Sequence, residues 1–186
     1  STGTWPSVVS SDSSNGTIAY AIANPTTFIT YNESNLDWYY TGSSSTDNTR
    51  WTISSSPKSI YDPCPAGWRV PDGGDEGVWS KASDSSSDLS GHPYDGSNKG
   101  MNFSDKFGSS SPIWYPASGV RYSTDGSLGN VGYSGSYWSA SPAEFTYTLD
   151  GYAYTLSFDD WGNGVSVLQC SWRSQGTSVR CFQAID

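Results

Sequence analysis

The sequence predicts an α+β domain that is mostly β, with short strands, long loops and one or two short helices. Three observations carry that expectation. No long stretch places apolar residues at i, i+3, i+4 and i+7. Gly, Pro, Ser and Asn interrupt the chain every few residues, as many short strands joined by turns require. The C-terminal third alternates apolar and polar residues in period two.

Taken in order, residues 1–17 are polar and Ser-rich and read as a leader or the remnant of a preceding domain, with one domain over 18–186. Thr17 to Ile22 predicts a first strand, which Asn24-Pro25 ends because proline has no N–H for a ladder. Phe28 to Tyr31 predicts a short extended piece, and Thr41 to Thr49 a polar loop. After Pro71, Asp72, Asp75 and Glu76 precede Val78-Trp79-Ser80-Lys81-Ala82, and acids ahead of a helix suit its positive N-terminal end. A helix of two or three turns is expected there. Ser83 to Asp105 is a long polar stretch containing His92. Phe145 to Leu149, Tyr152 to Phe158, Val165 to Cys170 and Thr177 to Phe182 then predict a four-stranded antiparallel meander. Asp150-Gly151, Asp159 to Gly164 and Ser174-Gln175-Gly176 are its turns.

The chain has 186 residues, about one domain, and its size permits a substantial core. Hydrophobic residues are 34% and charged residues 15%, yet aromatics reach 15%, with nine Trp and thirteen Tyr. Disordered chains are poor in aromatics and rich in charge. The composition therefore predicts a folded domain with an aromatic core and a neutral Ser/Thr/Gly/Asn surface, as on an extracellular protein. Nine basic against 18 acidic residues give a net charge of −9. That argues against a phosphate-binding surface for nucleic acid and disfavours an anionic membrane. No apolar run of about 18 residues could span a bilayer as a helix. With no initiator Met and no signal peptide in view, the sequence is expected to be a mature form or an excised domain.

Three cysteines allow at most one intrachain disulfide. Cys64 lies between two prolines, and Cys181 falls on the last expected strand. Two pairings are open, Cys64–Cys181 and Cys170–Cys181, and so is a reduced state in which all three thiols are buried. Zinc is not expected, because no C-x-x-C spacing occurs and His92 stands alone.

Several segments together carry a family resemblance. They are Asn24-Pro25-Thr26-Thr27-Phe28-Ile29, Asp37-Trp38, Trp51, and the run from Lys58 through Asp62-Pro63-Cys64-Pro65-Ala66-Gly67-Trp68-Arg69-Val70-Pro71. Tyr115 to Arg121, Gly135 to Ser141 and Gly176-Thr177-Ser178-Val179-Arg180-Cys181 follow the same pattern. The chain resembles Bacteroidetes surface and fimbrillin-type proteins and is similar to the Fibrobacter succinogenes major paralogous domain, over roughly Tyr20 to Gln183. The resemblance implies a C-type-lectin-like fold, distantly akin to the formylglycine-generating enzyme fold. It implies a Cys64–Cys181 disulfide, and a cell-surface or fimbrial location outside a Gram-negative bacterium. Cys170 is additional to the expected two-Cys pattern. The close catalytic cysteine pair of the formylglycine-generating branch is missing, as are the Glu-Pro-Asn and Trp-Asn-Asp signatures of calcium-dependent sugar binding.

No catalytic residue is expected. Gly132-Tyr133-Ser134-Gly135-Ser136 misses the G-x-S-x-G elbow by one position, and His92 beside Pro93 reads as a loop residue. Adjacent acids on a turn point apart, whereas glycoside hydrolysis needs two carboxyls facing across a cleft. Asp159, Asp160 and Asn163 could offer oxygen ligands to calcium, but an Asx-stabilised turn is the simpler reading, and no cofactor is expected. Aromatics give the strongest binding signal: Trp38, Trp114, Tyr115 and Trp161 lie in or beside polar loops, with Asp160 and Asn163 as polar neighbours. Trp161, at a turn tip, is the expected exposed tryptophan, while Trp68, Trp79 and Trp138 are expected in the core. Arg69, Arg121 and Arg180 are expected as buried ion pairs or carbonyl clamps.

The reading is thus a non-enzymatic adhesin domain of a fimbrial tip or cell surface. Its partners would be a glycan, a host or microbial surface protein, or other fimbrial subunits. The alternatives are a structural capping or assembly module of a fimbrium and, last, a formylglycine-generating-like enzyme relative.

Overall fold

The computed structural model describes residues 7–82, 94–104, 107–143, 151–161 and 164–184. The described chain is mostly β with two short helices. In order come β1 (Ser7–Val9), α1 (Ile18–Ala23), β2 (Thr27–Ile29), β3 (Trp68–Arg69), α2 (Val78–Ala82), β4 (Gly100–Asn102), β5 (Trp114–Pro116), β6 (Val120–Arg121), β7 (Leu128–Gly129), β8 (Ser134–Pro142), β9 (Tyr152–Asp159), β10 (Val165–Trp172) and β11 (Phe182–Gln183).

The main sheet is antiparallel, in the order β10-β9-β8. Alternation along β9 sends Leu156 and Phe158 to one face and Ala153 and Thr155 to the other. The register repeats this across the sheet, with Tyr137 opposite Leu156 and Trp138 opposite Thr155. On the Tyr137 face lies an aromatic core of Trp79, Phe103, Tyr115, Tyr137 and Phe158, with Met101, Val165 and Val167. Its rings meet edge-on, Phe103 on Tyr115 at 5.0 Å and Tyr115 on Tyr137 at 4.9 Å. Each such side chain contributes roughly 1.5–3 kcal/mol of burial.

The other face of the sheet is covered by residues 30–67, which contain neither helix nor strand. Side-chain-to-backbone bonds replace a ladder there. The Asn32 side-chain oxygen accepts the N–H groups of Ser34 and Asn35 at 3.0 and 3.1 Å. Asn35, wholly buried, accepts the Asp37 N–H at 3.1 Å and donates to the Ser45 carbonyl at 3.1 Å. Asp62 accepts the N–H groups of Cys64 and Val70 at 2.8 and 3.0 Å. Buried Arg69 clamps the carbonyls of Thr52, Ile53, Ser54 and Ser56. The region ends at a Cys64–Cys181 disulfide that spans 117 residues, and Val70, Ala140 and Trp51 pack around it. Gly67, at φ +77°, closes the turn from the Pro65 carbonyl to the Trp68 N–H.

The structure changes several expectations. Thr17 to Ile22 is not a strand. Thr17 caps α1, its hydroxyl accepting the Tyr20 N–H at 3.1 Å, and three alanines in six residues favour the helix. The stretch 1–17, expected as a leader, is tied to the domain from Ser7 onward: β1 pairs in parallel with β2, and the Tyr40 N–H reaches the Gly16 carbonyl. The described part of the expected helix after Pro71 is the five residues of α2.

Of the four-strand meander, β9 and β10 form as expected, while residues 145–149, Asp150 and His92 lie outside the described residues. The segment from Thr177 is not a fourth strand beside β10. Gly176 pairs with Arg121, Ser178 runs parallel to Tyr137 on the far edge of β8, and β11 pairs with β3. The disulfide and the Arg121 pairing hold it there, on the opposite side of the sheet from the meander edge. Trp68, expected in the core, is 43% exposed, because its strand neighbour Arg69 takes the inward position. Trp79 and Trp138 are buried.

Candidate functional site

Two aromatic sites lie toward opposite ends of β9. The first is a shelf at the β9–β10 turn. Trp161 is 57% exposed and Tyr133 50% exposed. Their rings lie 8° from parallel with centroids 6.4 Å apart. The turn is built by Asp159, whose Oδ1 accepts the Trp161 N–H at 3.0 Å, and by the Asp160 N–H, which donates to the Tyr133 carbonyl at 3.0 Å. That second bond holds the two aromatic segments side by side. The Lys99 ammonium lies 5.5 Å from the Tyr133 ring centroid, and the Asp160 side chain is exposed. Asp159 is thus engaged in an Asx turn. Asn163 lies outside the described residues.

Tyr115, expected at the binding surface, is a core residue with no exposed area. Its hydroxyl accepts the Trp79 indole N–H at 3.2 Å, and the Arg180 guanidinium sits 4.9 Å from its ring. Burial is the main cause that raises its pKa above the usual tyrosine value. The physical reason is pairing with β4, which fixes which face of β5 turns inward. Trp114, the next residue back, is half-buried against Gly100. The arginines act as carbonyl clamps: Arg121 donates to Gly126 and Arg180 to Trp114, at 2.9 and 2.8 Å.

The second site is a cleft of about 440 Å³ between α1, the 37–61 coil and the Trp138 face of the sheet. Ile18 and Ile22 form one wall, Trp51 and Tyr61 another, and Trp138, Ala140 and Ala153 the floor. Trp38, expected as a binding residue, is here rather than beside Trp161. One end is polar. The Arg50 guanidinium stacks 3.3 Å over the Tyr39 ring and donates to Asp47 at 2.9 Å. Arg173 lies 3.7 Å from the carboxylate of buried Asp37 and donates to the Asn48 side-chain oxygen at 2.6 Å. Burial raises the Asp37 pKa above 3.8, opposed by the Tyr39 N–H and the two arginines. Asp47 is shifted the other way, chiefly by the Thr49 hydroxyl.

Sequence reasoning missed Tyr133, Arg50 and Arg173. A signal existed for the arginines: in a charge-poor chain each adjoins a tryptophan, in Arg50-Trp51 and Trp172-Arg173. Among the described residues no group of three or more His, Cys, Asp or Glu is arranged to hold a metal, and no helix is long and apolar enough to cross a membrane. Compared with protein-family models, with curated proteins and with solved structures, the chain gave no match.

Proposed function

We propose that this chain is a C-type-lectin-like recognition domain of an extracellular fimbrial tip or other surface protein of a Gram-negative bacterium. It binds a glycan or a surface protein and does no chemistry. The observation that carries this is the shelf: two large rings, more than half or half exposed, held parallel by a hydrogen-bonded turn with an ammonium and a carboxylate beside them. Exposed aromatics with a polar rim stack on the apolar face of a sugar or anchor a protein interface. The Cys64–Cys181 link, from mid-chain to the terminal segment, fits the lectin-like reading and an oxidising compartment.

Binding to an array of glycans and to candidate surface proteins tests this, with Trp161→Ala as the variant. Because Trp161 is exposed, its loss should change stability by no more than about 0.5 kcal/mol. Its loss should weaken ligand binding roughly tenfold or more. If no glycan or protein ligand of the domain loses affinity in Trp161→Ala or Tyr133→Ala, the shelf is not a recognition surface.

A further inference from the structure

The cleft is a separate site, and its inventory of donors and acceptors restricts what can fill it. Both of its carboxylates are engaged. Asp47 Oδ1 accepts the Thr49 N–H at 2.8 Å, and its Oδ2 accepts from Arg50. Asp37 Oδ1 accepts the Tyr39 N–H at 3.2 Å, and its Oδ2 faces Arg173. Two donors are left over. The Arg50 Nε is buried and has no hydrogen-bond partner. Asn48 is exposed and presents its side-chain oxygen to Arg173, so its Nδ2 amide points elsewhere and makes no hydrogen bond among the described residues. A ligand whose polar part is an acceptor meets these unpaired donors. Two arginines balance two aspartates, so a charged ligand gains no net local attraction, and the chain's −9 repels an anion at longer range. A neutral acceptor suits this charge balance. The rest of the ligand must be apolar on at least one face, because Trp51, Tyr61, Trp138, Ile18 and Ile22 offer rings and aliphatic surface.

An acetamido group on a pyranose ring meets all three conditions. Its carbonyl is a neutral acceptor, its methyl is apolar, and the C–H face of the sugar stacks on indole. The cleft volume of about 440 Å³ suits a ligand of one or two sugar rings. We propose that the cleft binds an N-acetylated hexosamine residue, with the acetamido carbonyl on Asn48 Nδ2 and the sugar face against Trp51. This does not rest on the Trp161 shelf, from which the cleft is separated by most of the length of β9.

Tryptophan fluorescence and calorimetric titration with N-acetylglucosamine trimer, against cellotriose as the non-acetylated control, test it. Trp38, Trp51 and Trp138 all border the cleft and report occupancy. The trimer should give saturable binding and cellotriose none. Asn48→Asp keeps the acceptor for Arg173 but replaces the free donor, and should weaken trimer binding about tenfold. Ile22→Ser, at a residue 75% exposed on α1, should weaken it without affecting folding. Trp161→Ala should leave it unchanged. Equal binding of cellotriose, no binding of the trimer, or trimer binding that survives both cleft variants overturns the assignment. Loss in Trp161→Ala alone would place the sugar on the shelf and also overturn it.

Discussion

The two regions that meet at Trp138 are held by different physics. β8, β9 and β10 form a sheet whose ladder pairs much of its backbone and whose inner face buries Tyr137, Leu156 and Phe158. Residues 30–67 have no ladder, and scattered turn bonds and the side chains of Asn32, Asn35, Asp62 and Arg69 meet their backbone groups. Burial in the sheet is distributed over many contacts, so the loss of one polar group is tolerated. In the coil a few side chains each bridge two or more backbone groups. A cleft built on such a coil depends on a few polar residues and on the covalent bond at its end.

The largest effect that separates the two regions should come from that bond. Cys64→Ser with Cys181→Ser frees a loop of 117 residues, worth about 4–5 kcal/mol in the chain-entropy account. Hydrogen exchange should show amides in residues 30–67 opening at lower free energy than those of β8 and β9. Equal loss of protection in both would mean the regions unfold as one unit, and the contrast would fail.

A smaller effect is expected at Asn35. It is fully buried and bonds to Asn32, Asp37 and Ser45. Asn35→Ala leaves buried partners unmet and should cost about 1–3 kcal/mol, read as a shift in denaturant midpoint. The slope of the transition should hold, since little surface is exposed. A cost near zero would show that water enters the coil and replaces the side chain.

The contrast also marks what was legible in the sequence. β9 and β10 were, because a two-residue period survives in any sheet with one buried face. Trp161 was, because a residue at a turn tip has few neighbours to cover it. α1 was not: the run Ala19-Tyr20-Ala21-Ile22 satisfies a strand period and a helix alike over so few residues, and the Thr17 cap decided it. Tyr115 was misassigned because adjacent aromatics divide between two faces and the sequence does not say which faces inward. The cleft was illegible for a stronger reason. Asx turns and carbonyl clamps have no period, and its walls come from positions 18–22, 37–61, 138–142, 153 and 173, which only long-range packing brings together.

The smallest effect sharpens the comparison at one atom pair. Asp37 sits where the coil meets the sheet's end, 3.7 Å from Arg173. Its pKa is raised above 3.8 because burial, which disfavours the charged form, outweighs the Tyr39 N–H and the arginines. The folded state therefore binds the Asp37 proton more tightly than the unfolded state does. Its contribution is most favourable below about pH 3.8 and is lost as pH rises through the raised value. Asp47 runs the opposite way, its contribution present above pH 3.8 and lost as pH falls through its lowered value. Comparing wild type with Asp37→Asn cancels Asp47 and isolates Asp37. Melting temperatures between about pH 3.5 and 7 should show the variant gaining on wild type as pH rises. If wild type gains instead, the Arg173 ion pair outweighs burial, and the junction between coil and sheet is an electrostatic tie rather than a desolvated one.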